Sequence, residues 1–200
     1  MIDAASWSVL PALLAPETED HLPVVLTVAR QYRRKNTETL LHAMTRVRKA
    51  VPGARLRVVG EGPELPRLRK LAAVLQLDES AVQFVGSLGG TDALKDEFNL
   101  ADVFCLPSRQ EGFGIVFLEA MAMGLPIVAA RAGAIPEVAP HDEVALLEHP
   151  DDPEGLAAAI VRLLQDTALR DRLVASGSAR WKNYAWPSVA TRFLEAALSD

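Results

Sequence analysis

Residues 24–29 form a nearly continuous apolar run, short and rich in β-branched side chains. That is the pattern of a strand buried on both faces. Apolar positions then return at Leu40, Leu41, Met44 and Val47, which share one side of a helix over about 36–49. Asn36 or Thr37 is placed to cap it, and Pro52-Gly53 stops it. A second strand is expected at 56–59, ended by Gly60-Glu61-Gly62-Pro63, and a helix at 64–76 with Leu65, Leu68, Leu71, Ala72 and Leu75 as its stripe. The alternation continues with strands at 82–85, 103–106, 127–129 and 144–147. Helical segments are expected at 91–99, 113–123 and 134–138, then at 153–165, 168–184 and 187–198.

Short apolar strands separated by helices predict parallel βαβ units with right-handed crossovers. The expected fold is α/β: a doubly wound, mostly parallel, six-stranded Rossmann-like sheet with helices on both faces. Ligands in such sheets lie beyond the carboxyl ends of the strands. The segments to watch are therefore 30–35, 60–63, 86–90, 107–114 and 131–134.

The length of 200 residues suits one domain. The expected organisation is a flanking segment or linker over 1–21, a ligand-binding domain over 22–185, and a C-terminal helix over 186–200. The net charge of −5 gives no general attraction to nucleic acid, so any anion site must be a local basic cluster. The single cysteine, Cys105, lies inside an apolar run, which excludes a disulfide framework and fits a reducing, cytoplasmic compartment. No stretch is long enough for a membrane span, and the apolar start of the chain lacks the basic residues of a signal peptide.

Three segments could carry chemistry. Arg30-Gln31-Tyr32-Arg33-Arg34-Lys35 concentrates cations between a strand end and a helix start, where unpaired N–H groups favour anions. A diphosphate site and a plain solvated basic loop are both open readings. Glu111-Gly112-Phe113-Gly114 leads into a helix, and its glycines let backbone approach a ligand closely. Glu119 follows in that helix at the border of its apolar side, where a carboxylate is costly without a hydrogen-bonding partner. A ribose diol could supply one; so could a structural arginine. Glu111 could equally be a surface acid. Gly60-Glu61-Gly62-Pro63 fails the dinucleotide fingerprint, because Leu65 stands where the third glycine belongs.

The other candidates are weaker. His21, His42, His141 and His149 have no metal-ligand spacing, and no Asp-x-Asp pair occurs, so no metal is expected. Asp151-Asp152 is placed to cap the following helix. Ser87 and Ser176 lack the nucleophile-elbow frame. Trp181, Tyr184 and Trp186 are expected to pack rather than to stack a ligand.

With these residues in view, the segment 107–129 resembles the donor-site signature of the retaining GT-B glycosyltransferases known as family 4, or group 1. Residues 28–35, 58–63 and Gly133-Ala134-Ile135-Pro136-Glu137 match further landmarks of that family in order. The resemblance covers about 22–186. It implies that Arg30 and Lys35 bind the diphosphate of a UDP- or GDP-sugar and that Glu119 binds the ribose. Glu111, with Gly112, Phe113 and Gly114, would face the sugar and β-phosphate; Gly60, Val85 and Gly86 would lie near the base. It further implies metal-independent hexosyl transfer, with the sugar nucleotide as donor substrate and no cofactor. Three departures, Ala29, Asn36 and Ala134, replace glycines that the family often has, and each is expected to add a side chain near the ligand.

The resemblance also implies a preceding acceptor domain that residues 1–20 cannot replace. The chain is thus expected to be an isolated domain, a truncated product or one subunit of a split enzyme. The alternative is a non-catalytic sugar-nucleotide-binding subunit that needs a partner chain. An unrelated doubly wound enzyme, such as an epimerase or dehydrogenase, is the third reading.

Overall fold

A computed structural model describes residues 21–185 together with Ser188, Ala190 and Thr191. Apart from these and His21, the flanking segment 1–21 and the helix expected over 187–198 lie outside the described residues. Six strands form one sheet: β1 (Val24–Val28), β2 (Arg55–Val59), β3 (Val82–Gly86), β4 (Val103–Leu106), β5 (Ile127–Ala130) and β6 (Ala145–Glu148). Their order is β3-β2-β1-β4-β5-β6, and every pairing is parallel, so the sheet is wholly rather than mostly parallel.

Neighbouring residues of each strand enter opposite cores, as the pleat requires. Val25, Val58, Cys105 and Val128 pack on one face; Leu26, Val59, Phe104 and Ile127 pack on the other. The first face is covered by α1 (Thr37–Ala50), α2 (Leu65–Val74) and α6 (Pro153–Gln165), with α1 lying against α6. The second is covered by α3 (Thr91–Asn99), α4 (Ile115–Ala122), α5 (Ile135–Val138) and the end of α7 (Thr167–Trp181). Burial on both faces is why these strands read as apolar runs rather than as alternating ones.

Helix starts carry the clearest differences from the pattern. The helix expected from residue 113 begins at Ile115, because Gly114 is left-handed at φ 73° and cannot belong to a right-handed helix. Asn36 precedes α1 but does not cap it with its side chain; it too is left-handed, at φ 59°. Its buried amide donates to the Pro150 carbonyl at 2.6 Å and its Oδ1 accepts from the Thr39 hydroxyl at 2.9 Å. Asn36 therefore ties α1 to the loop before α6. Of the acidic pair at 151–152, only Asp152 caps α6, accepting from the N–H groups of Glu154 and Gly155. Asp151 takes Arg109 instead.

Candidate functional site

Strand order reverses between β1 and β4, so the helices that follow them, α1 and α4, cover opposite faces of the sheet, and the loops leading into those helices meet at the crevice beyond the strands' carboxyl ends. The loop after β1 makes a 3-10 turn over Arg33–Lys35, and the loop after β4 runs through 107–114. The two are joined by a backbone bond from the Arg109 N–H to the Arg34 carbonyl, 2.8 Å. Beside it, Lys35 Nζ donates to both oxygens of Glu111, at 3.0 and 2.7 Å. Each side chain is only 12% exposed, so the pair is shielded rather than a loose surface contact.

The loop carrying Lys35 is anchored by a residue that the sequence offered no reason to single out. Gln31 is fully buried within an otherwise basic stretch. Its amide donates to the carbonyls of Ala29 and Val59, and its Oε1 accepts from the Thr37 hydroxyl at 2.7 Å. Around this anchor Arg30 stays exposed, its guanidinium 5.5 Å from the centre of the Tyr32 ring, with that of Arg34 at 5.0 Å. Neither arginine has a carboxylate partner among the described residues.

On the β4 side, Gly114 lets the chain turn into α4; a Cβ there would lie 2.5 Å from the Phe117 ring and 3.2 Å from Glu111 Cγ. The N–H groups of Gly112, Phe113 and Gly114 donate to no other group among the described residues. They stand at the amino end of α4, where anions are favoured. Phe113 is exposed, with its ring 5.7 Å from that of Tyr184. Gly133, from the loop after β5, backs onto Glu111: a Cβ there would lie 2.7 Å from the Glu111 carbonyl oxygen. The Ala134 N–H donates to that same oxygen at 3.2 Å.

Glu119 lies on the least buried stripe of α4, with Ile115, Val116 and Met123. No hydrogen bond or ion pair engages its side chain among the described residues, so no arginine pairs with it. Desolvation by burial raises its carboxyl above the ordinary range.

Gly60 and the loop after β3 border a cavity of about 590 Å³ at the carboxyl ends of β1 and β2. Its walls include Val28, Ala29, Arg30, Glu61 and Leu88. Gly60, at φ 106°, leaves no room for a side chain, since a Cβ would meet the Ala29 oxygen at 2.1 Å. Gly86 ends β3 in a left-handed conformation close to the Glu61 carboxylate. Val85 borders a different and larger groove of about 820 Å³, which runs between α2 and the edge strand β3 past Arg57, Arg69 and Phe84. That groove includes none of the residues of the crevice.

Cys105 is buried, and burial pushes its thiol well up, which leaves it inert. Among the described residues no group of three or more His, Cys, Asp or Glu could hold a metal, and no helix is long and apolar enough to cross a membrane.

A family model described as glycosyl transferases group 1 matches residues 22–166. The GDP-mannose-dependent alpha-(1-6)-phosphatidylinositol monomannoside mannosyltransferase of Mycobacterium tuberculosis is 37% identical over 189 residues, covering 89% of this chain and 48% of its own. Among solved structures, a sucrose-phosphate synthase from Thermosynechococcus elongatus superposes with a TM-score of 0.83 at 30% identity, over 99% of this chain and 50% of its own. The C-terminal domain of a glycosyl transferase group 1 protein from Francisella tularensis superposes with a TM-score of 0.77 at 23% identity, over 93% of this chain and all of that domain. The chain spans about half the length of the curated relatives it matches.

Proposed function

Because the chain belongs to the glycosyl transferases group 1 family, we propose that it is the C-terminal, donor-binding half of a retaining GT-B hexosyltransferase. The donor is a nucleoside diphosphate sugar. The observation that carries this reading is the meeting of Lys35 and Glu111 at the strand-order reversal, beside the unpaired N–H groups at the start of α4. Relatives named as GDP-mannose-dependent transferases support the donor class.

In this reading Arg30, Lys35 and the N–H groups of Gly112, Phe113 and Gly114 receive the diphosphate. The bond from the anomeric carbon to the β-phosphate oxygen breaks, and negative charge grows on the departing diphosphate. Fixed cations and dipoles aimed at that charge lower the barrier. Glu119, unpartnered and half-buried, accepts hydrogen bonds from both ribose hydroxyls, which compensates its desolvation. Glu111, once Lys35 turns to phosphate, is left facing the sugar. Retention of configuration, independence from metal and cytoplasmic location belong to the same proposal through the family resemblance. The acceptor is bound outside the residues described, in line with the half-length match to the relatives.

The test is titration calorimetry of the chain with GDP and UDP, repeated with Lys35→Ala and Glu119→Ala. Each substitution should weaken binding about tenfold or more while the protein stays folded. Unchanged affinity in both variants would overturn the reading.

A further inference from the structure

The sheet has two edges, β6 and β3, and among the described residues the chain closes only the first. We propose that the open edge, β3, is a self-association surface at which a second copy of this chain pairs antiparallel, about a two-fold axis through Gln83. The surface is separate from the donor crevice and does not depend on the donor-site reading.

At the β6 edge the Glu148 carbonyl faces β5 and accepts from the Arg131 N–H, so Ala145 and Leu147 turn their backbone groups outward. All four of those groups are engaged. The Ala145 N–H donates to the Pro140 carbonyl, and the Ala145 carbonyl accepts from the Asp142 N–H. The Leu147 N–H donates to His141 Nδ1, and the Leu147 carbonyl accepts from the Arg131 guanidinium.

At the β3 edge the Leu56 N–H donates to the Ala81 carbonyl, with Leu56 beside Val82 in the register. Residues 81, 83 and 85 therefore face β2, while Val82 and Phe84 turn their backbone groups outward. The Val82 N–H donates to the Asp78 carbonyl at 2.9 Å, and the Phe84 carbonyl accepts from Arg69 at 3.3 Å. The Val82 carbonyl and the Phe84 N–H have no partner among the described residues. Such an edge is a template for another strand, and β3, Val-Gln-Phe-Val-Gly, carries neither charge nor proline to discourage one.

The two open groups complement each other across a two-fold axis. In an antiparallel pair centred on Gln83, the Phe84 N–H of each copy meets the Val82 carbonyl of the other. A parallel copy could not satisfy both, because no residue of β3 has its N–H and its carbonyl free together. The charges beside the strand match under the same axis. Arg69 is exposed, with its guanidinium 4.8 Å from the centre of the Phe84 ring, and Glu79 is exposed in the turn before β3. Neither has an ion-pair partner among the described residues, and both line the groove of about 820 Å³. The axis carries Glu79 of each copy towards Arg69 of the other. Two strand bonds and two exposed ion pairs make a small, transient interface. The pairing joins the two sheets into one and points the two crevices in opposite directions, so both stay open.

The experiment is sedimentation velocity of the 200-residue chain over about a hundredfold range of concentration, chosen for an interface of the weak class. The native chain should pass from monomer towards dimer as concentration rises. Gln83→Lys sets like charges opposite each other at the axis and should weaken association about fivefold. Arg69→Glu and Glu79→Arg should each weaken it, and the two together should restore it, a rescue that misfolding could not produce. Gln83→Cys should give a disulfide-linked dimer on mild oxidation, because Cα atoms about 4.5 Å apart lie within disulfide range. Lys49→Cys, exposed on α1, should not, and the native Cys105 is buried. A native chain that stays monomeric throughout overturns the proposal. So does a dimer that Gln83→Lys leaves unchanged, or one that Lys49→Cys links as well as Gln83→Cys does.

Discussion

Lys35 and Glu111, 76 residues apart in sequence, meet at 2.7 Å across the line where the order of the sheet reverses. In this arrangement the carboxylate holds the lysine that a diphosphate would need. Removing its charge should therefore favour phosphate. Glu111→Gln is expected to tighten GDP or UDP binding several-fold, because the ligand no longer competes for Lys35, while hexosyl transfer falls. The same change leaves a shielded lysine without its counter-charge and should cost about 1–3 kcal/mol of stability. Calorimetry and thermal melts read the two effects separately; weaker nucleotide binding would contradict the competition.

The raised carboxyl of Glu119 makes a prediction with opposite signs for stability and binding. In the unfolded chain this group ionises at its ordinary value, whereas in the fold it ionises later. Stability is therefore greatest while it is protonated and declines as pH rises from the ordinary carboxylate value through the raised one. Glu119→Gln should melt at a higher temperature than the native protein at neutral pH. Ribose hydroxyls bind the ionised form, so native affinity should fall with acidification sooner than for an ordinary carboxylate. The glutamine variant should lose that part of the pH profile. A native profile identical to that of the variant would remove Glu119 from the ribose site.

Gly133 supports the Glu111 loop from behind. At φ 55°, and with a Cβ that would lie 2.7 Å from the Glu111 oxygen, it has no space for a side chain. Gly133→Ala should displace the loop and cost about 1–3 kcal/mol, with nucleotide affinity reduced. Gly89→Ala is the control, since nothing lies within 4 Å of its Cβ position. Equal melting temperatures for the two variants would show that the contact is not limiting.

Arg30 should behave unlike Lys35. It is exposed and has no ion pair among the described residues, so Arg30→Ala should leave stability within about 0.5 kcal/mol. Nucleotide diphosphate binding should weaken roughly tenfold at low salt, and the loss should shrink as salt screens the charge. A salt-independent loss would point to a packing role through Tyr32.

Much of this architecture is local and so was readable along the chain. The pattern places the elements at 91–99, 103–106 and 153–165 to the residue. A strand buried on two faces must be apolar throughout, and a helix against a sheet must repeat its apolar positions every three to four residues. Glu111 and Glu119 were legible for a related reason: they belong to one continuous segment whose glycines and helix are local features. Two helix starts were misread where a single residue turns left-handed, at Gly114 and Asn36, while β6 and α7 differ from the pattern by one to three residues at their ends. Sequence position alone does not fix that conformation for a given residue.

What the sequence by itself determined is the succession of strands and helices, the family, and the segments that follow each strand. The tertiary structure decided which of those segments meet. The reversal of strand order brings the β1 and β4 loops together, so Lys35 faces Glu111. The pairing of β1 with β2 buries Gln31 amid a basic stretch, bonded to Ala29, Val59 and Thr37. The physical reason is that periodicity reports how much of a side chain is buried, whereas charge pairing depends on distance between chain-remote groups. That distance is set by how the sheet is wound.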